Sequence, residues 1–128
     1  MLTEKECIDI AAPRVEIVVN LIAANDYEDI ADIISQTDIS YTDLQIFVQT
    51  YLDMNELDGV DGYDVECNFN PDYEYHQLSV YPFDDESGFA ADYDLTTGGE
   101  LNDMTLQLEF KKIEGGHFMV CLKGIDIL

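Results

Sequence analysis

Acidic side chains at close spacing can ligate calcium, and residues 53–64, DMNELDGVDGYD, come nearest to doing so. An EF-hand loop needs oxygen ligands at its first, third, fifth and twelfth positions and glycine at the sixth. Placing Gly62 sixth puts Leu57 first, Gly59 third and Asn68 twelfth, and placing Gly59 sixth puts Met54 first. Both registers fail. Zinc needs Cys or His pairs at short spacing, whereas His76, His117, Cys7, Cys67 and Cys121 are scattered. Cys7 is two residues from Lys5 and Cys121 two from Lys123, and a nearby cation lowers a thiol pKa. Neither cysteine has a histidine at close spacing, and each reads as a small buried hydrophobe. No Gly-x-Ser-x-Gly elbow and no glycine-rich phosphate loop occurs. Paired-carboxylate hydrolysis needs two acids in contrasting environments, and a chain with 28 acids singles out no pair. These tests leave no catalytic residue, no metal ligand and no cofactor, so the expectation is a protein that is not an enzyme.

One constellation remains. Residues 52–93 contain no Lys or Arg and interleave acids with Tyr, Phe and Gly. Alternate residues on a strand face lie about 6.6 Å apart, which puts Asp92 and Asp94 on one face. Asp84, Asp85 and Glu86 form a charge run on the loop before them, and Asp72 and Glu74 lie at the opposite end of the preceding strand. Tyr73, Tyr75, Phe89 and Tyr93 are close in sequence. Charge steers association and aromatic residues dominate contact energies, so these eleven positions are the candidate partner-binding surface. The blander alternative is a solvated acidic face with some aromatics in the core.

Composition supports a basic partner. The net charge is -23 over 128 residues. The only cations are Lys5, Arg14, Lys111, Lys112 and Lys123, so positions 15–110 have none. Five of the 28 acids (Glu4, Glu6, Asp9, Glu114 and Asp126) lie outside that window and 23 inside it. Direct binding to nucleic acid or to an anionic membrane is not expected without a basic patch. A halophile surface would also be acid-rich, but does not need interleaved aromatics. A hydrophobic fraction of 47% separates the chain from acidic disordered tails. The start, MLTEKECID, has no apolar core of a secretory signal, and no run approaches the ~18 apolar residues of a membrane span. Three widely spaced cysteines make no disulfide framework, and the expected location is the cytoplasm.

The elements that must position the surface follow from periodicity. Thr3 and Glu6 fit a capping box, and Ile8, Ala11, Ala12, Val15, Val18, Val19 and Ile22 then form an apolar stripe at helical spacing. Pro13 kinks this helix without putting the stripe out of phase, and it ends near Ala24. A turn at Asn25-Asp26 leads to a short helix with Tyr27, Ile30, Ala31, Ile33 and Ile34. Thr42 and Gln45 suggest a second capping box, before a helix with Leu44, Phe47, Val48, Tyr51 and Leu52 on one side. The period then falls to two, predicting strands over residues 65–69, 75–81, 89–95, 104–113 and 118–127, with His76, Leu78 and Val80 sharing a face of the second. Helices first and strands later predict an α+β class: two to three N-terminal helices on one face of a curved, mainly antiparallel sheet of about five strands. The expected organisation is one domain over 1–128, helical over about 3–54 and sheet over about 63–128.

The pieces VVNLIAANDYEDIADI, LNDMTLQLEF and GIDIL resemble those of small nuclear-transport-factor-like (cystatin-like cone) domains. That resemblance implies an aromatic-lined cone able to hold a small ligand. In physical type, as a small acidic cytoplasmic chain, the protein also resembles bacterial immunity proteins, including those of contact-dependent growth inhibition, which neutralise basic nuclease toxins. The leading expectation is therefore a nuclease-toxin inhibitor acting through the acidic-aromatic surface. The alternative is a small-molecule binding or catalytic cone. Oligomeric state stays open.

Overall fold

In the computed structural model, which describes residues 2–127, the first helix, α1, spans Glu4–Ala23. It opens as its capping box requires. Thr3 Oγ1 accepts from the Glu6 N–H and Glu6 Oε1 from the Thr3 N–H, both at 3.1 Å. Pro13 sits inside the helix on its exposed side. The opposite side buries Cys7, Ala11, Val15, Val18, Val19 and Ile22. The short helix is a 3₁₀ turn, Tyr27–Asp32, with Tyr27 and Ile30 buried.

The second helix, α2, spans Tyr41–Met54. Its N-cap is Ser40, whose Oγ accepts from the Asp43 N–H at 3.1 Å, rather than Thr42. Serine is as good a cap as threonine, and starting one residue after Ser40 brings Leu44, Val48 and Leu52 inward. Phe47, expected on the same side, is 37% exposed.

Five strands follow the order β1-β5-β4-β3-β2. They are β1 (Gln36–Thr37), β2 (Leu78–Pro82), β3 (Gly88–Thr97), β4 (Glu100–Lys112) and β5 (Phe118–Ile127). All pairings are antiparallel except that of β1 with β5. The architecture is α+β, with helices packed against a mainly antiparallel, open sheet. One face of the sheet carries Phe89, Ala91, Tyr93 and Leu95 of β3 and Met104, Leu106, Leu108 and Phe110 of β4, all buried in one cluster with the helical stripes. Phe89 stacks on its register partner Phe110 at 4.8 Å between ring centres. Fully burying side chains of this size contributes about 1.5–3 kcal/mol each, and helical residues 7–52 supply the other half of the core.

Two strand expectations need correction. Residues 65–69 form no strand, and Val65 and Phe69 are exposed. Their alternation is real, but the segment is held elsewhere. Asp61 Oδ2 accepts from Thr96 Oγ1 at 2.8 Å and the Gly99 N–H at 2.7 Å, and its Oδ1 accepts from the Gly98 N–H at 2.9 Å. The Asn68 N–H donates to Gly99 O. These bonds, with that of the Asp61 N–H to Thr96 O, fasten the loop over the β3–β4 turn without a strand ladder. The second strand begins at Leu78 rather than Tyr75. His76 is thus exposed and beside Glu74, not inward with Leu78 and Val80. No helix among the described residues is long and apolar enough to cross a membrane.

Candidate partner-binding face

Strand alternation turns Ser79 and Tyr81 of β2, Asp92 and Asp94 of β3, and Thr105 and Gln107 of β4 away from the helices. They line an open groove of about 410 Å³ with Glu74, Tyr75, His76 and Asp126. Register explains its floor. Asp94 pairs with Thr105, and Thr105 with Asp126, so the three lie in a row across β3, β4 and β5. Asp92 and Gln107 form the next row.

Asp126 reaches this face through a bulge. In β5, Phe118, Val120 and Leu122 pair with Lys112, Phe110 and Leu108, and continued alternation would send Asp126 into the core with them. The register shifts between Gln107 and Leu108, so that Gly124 rather than Lys123 meets Gln107. The extra residue reverses the facing of the remaining strand, and Asp126 emerges exposed on the face that carries Asp94, with Thr105 between them.

Asp94 is the most heavily bonded acid in the groove. Its Oδ2 accepts from Tyr75 Oη at 2.7 Å and its Oδ1 from Thr105 Oγ1 at 3.0 Å. Its backbone N–H donates to Gln77 O, and its carbonyl accepts from Gln77 Nε2 at 2.8 Å. Burial, then the bond to Asp94 and its charge, push the Tyr75 hydroxyl well above the ordinary tyrosine range, keeping it a proton donor. Asp92 has no such donors among the described hydrogen bonds. Burial, then Asp94 and Asp126, push its carboxyl above the usual carboxylate range. Asp92 and Asp94 are two residues apart on β3 and Asp126 lies across β4 from them; clustering like charge costs stability, so the groove carries a standing cost. Four carboxylates (Glu74, Asp92, Asp94 and Asp126) line it, and the only basic side chain there is His76, 3.1 Å from Glu74.

Nine of the eleven sequence candidates fall into three groups. Glu74, Tyr75, Asp92 and Asp94 come together in the groove. Asp72 and the 66%-exposed Tyr73 lie beside it on the same loop, with Tyr73 edge-on to Phe69 at 6.5 Å. Asp84, Asp85 and Glu86 sit in the β2–β3 hairpin, where Asp85 Oδ1 accepts from Ser87 Oγ at 2.6 Å and the Ser87 N–H at 3.0 Å. None of the three lines the groove, so the hairpin is a separate acidic cluster.

Phe89 and Tyr93 require correction as contact residues. They are 0% and 4% exposed, because odd positions of β3 face the helices. Tyr93 stacks on Tyr63 at 5.2 Å and supports the loop from within. Among the described residues, no group of three or more His, Cys, Asp or Glu comes together in a way that could hold a metal ion. Sequence reasoning did not find Tyr81, Thr105, Gln107 or Asp126. Tyr81 was legible from alternation within β2, whereas the other three needed the strand register.

Residues 19–128 match the model of a family described as a domain of unknown function (DUF7668), and the chain belongs to that family. No curated protein and no solved structure matches it.

Proposed function

We propose that the chain is a cytoplasmic, non-enzymatic inhibitor of the immunity type, which binds a basic nuclease toxin domain through the outer face of β2, β3 and β4. One observation carries this reading: four carboxylates converge on a groove that no Lys or Arg of the chain enters. A fold gains nothing from holding Asp92 against Asp94 and Asp126, but an arriving Lys or Arg converts that repulsion into attraction. Nuclease active sites and their flanks are basic because they hold phosphates. Tyr73 and Tyr81, 66% and 54% exposed, flank the charged region with aromatic contact area. The acids would set the rate of encounter and the tyrosines the lifetime of the complex.

The test is to search the genes beside this one for a basic nuclease domain and to assay its cleavage with and without this protein. Equimolar protein should abolish cleavage, and Glu74→Gln combined with Asp92→Asn should restore it. Full cleavage in the presence of excess wild-type protein refutes the reading.

A further inference from the structure

A second groove, of about 500 Å³, runs between α2 and the end of β5. Its walls are almost wholly apolar: Ile39, Ile46, Phe47, Tyr51, Met54 and Ile127. On α2 these residues follow three- and four-residue spacing, a stripe turned away from the buried Leu44, Val48 and Leu52. Ile46 is 58% and Met54 78% exposed, an unusual outlay of apolar surface on so acidic a chain.

The same place holds an open sheet edge. β1 pairs with β5 only at Cys121 and Leu122. After the Asp38 N–H bonds Leu122 O, the chain leaves the sheet for Ser40, the cap of α2. Beyond Leu122, β5 has β4 on one side and, among the described residues, no strand on the other. Unpaired backbone beside an apolar groove is the geometry of strand addition, in which main-chain bonds give affinity and the groove takes alternate side chains.

Charge selects the occupant. α2 has no Lys or Arg, and Asp43 lines the groove while Asp126 adjoins Ile127. The nearest cation, Lys123, is ion-paired with Asp38. A second copy would set one net charge of -23 against another. We infer that an extended segment alternating apolar and cationic residues, supplied by another protein, adds to β5 beyond Leu122 and drops its apolar side chains against Ile46, Phe47 and Met54. The site touches the acidic groove only at Asp126 and does not rest on the nuclease reading.

The probe is a synthetic peptide of about eight residues alternating Val and Lys, long enough to line the end of β5 at ~3.3 Å per residue. Titrated into the ¹⁵N-labelled full chain, it should shift amides of residues 123–127 and of α2. A twin N-methylated at alternate positions keeps charge and apolarity but cannot pair with an edge, and should bind about tenfold more weakly. Ile46→Asp with Met54→Asp should weaken binding similarly although it adds negative charge, because it removes the apolar contact. Both positions are exposed, and Asp43→Lys offers a second variant that leaves the apolar stripe intact and should also weaken binding. Equal affinity of the twin, shifts confined to Asp92 and Asp94, or no binding would overturn the inference. So would a dimer in sedimentation equilibrium that Ile46→Asp dissociates, since the occupant would then be a second copy. Nuclease inhibition through Asp92 is read in a different assay and can fail or succeed independently.

Discussion

The Tyr75 hydroxyl donates to Asp94 Oδ2 at 2.7 Å, joining the end of a long irregular loop to the middle of the acidic groove. The bond does two things. It gives Asp94 a donor that partly offsets its crowded charge, and it fixes Glu74 and His76, the flanking residues, at the groove wall.

Tyr75→Phe should therefore destabilise the protein by about 1.5–3 kcal/mol, the range for losing a bond to a charged acceptor, and should speed hydrogen exchange in residues 68–77. Tyr75 also contributes to an alkaline limit. Burial also raises the hydroxyls of Tyr27 and Tyr93, each up to about 12. A raised folded pKa means stability that is full below the unfolded value, about 10 for tyrosine, and is lost as pH rises towards the folded one. Chemical denaturation should show stability flat up to about pH 10 and falling above it. Tyr75→Phe should fall less steeply.

Asp92→Asn should raise the melting temperature at neutral pH. Burial and the charges of Asp94 and Asp126 disfavour the Asp92 carboxylate, so its raised folded pKa makes the ionised form a cost. Removing it should gain about 0.2–1 kcal/mol, the scale of a partly exposed charge interaction. The gain should shrink as pH falls through the Asp92 titration and vanish below the unfolded value of about 3.9, where wild type is neutral too. A variant less stable than wild type at pH 7 would show that no repulsion is stored there.

Salt should stabilise the isolated protein. A net charge of -23 repels itself, and the screening length falls from about 30 Å at 0.01 M to about 10 Å at 0.1 M. Calorimetry at those two ionic strengths should give the higher melting temperature in the higher salt. A flat or falling trend would mean that the acids are too dispersed to matter.

Much of the fold was legible because long periodic segments report which side they bury. The Val15–Val18–Val19–Ile22 stripe reached the core as read, and the strand expected over 104–113 lies within β4 and its end. What stayed hidden was non-local. β1 is two residues long, too short to show a period. Residues 65–69 alternate like a strand, yet Asp61 and its three donors hold their loop across a turn of the sheet. At the site, Asp92 and Asp94 were placed correctly on one face because both lie in one unbroken strand. Asp126 was not, because a single extra residue in β5 reverses its facing. Phe89 and Tyr93 were grouped with the acids by proximity in sequence, although the period of two that exposes Asp92 and Asp94 buries both aromatics.

Surface plasmon resonance against the proposed partner, a basic nuclease domain sought among the neighbouring genes, comparing wild type with Glu74→Gln/Asp92→Asn/Asp126→Asn across a salt series, tests the central claim most directly. The three side chains line the groove, and none of them donates or accepts a described hydrogen bond within the core. The variant should associate at least about tenfold more slowly at low salt, with a flatter salt dependence, because clustered charge acts on the encounter rate. Association and dissociation rates equal to those of wild type, with the fold intact, would contradict the assignment of this face.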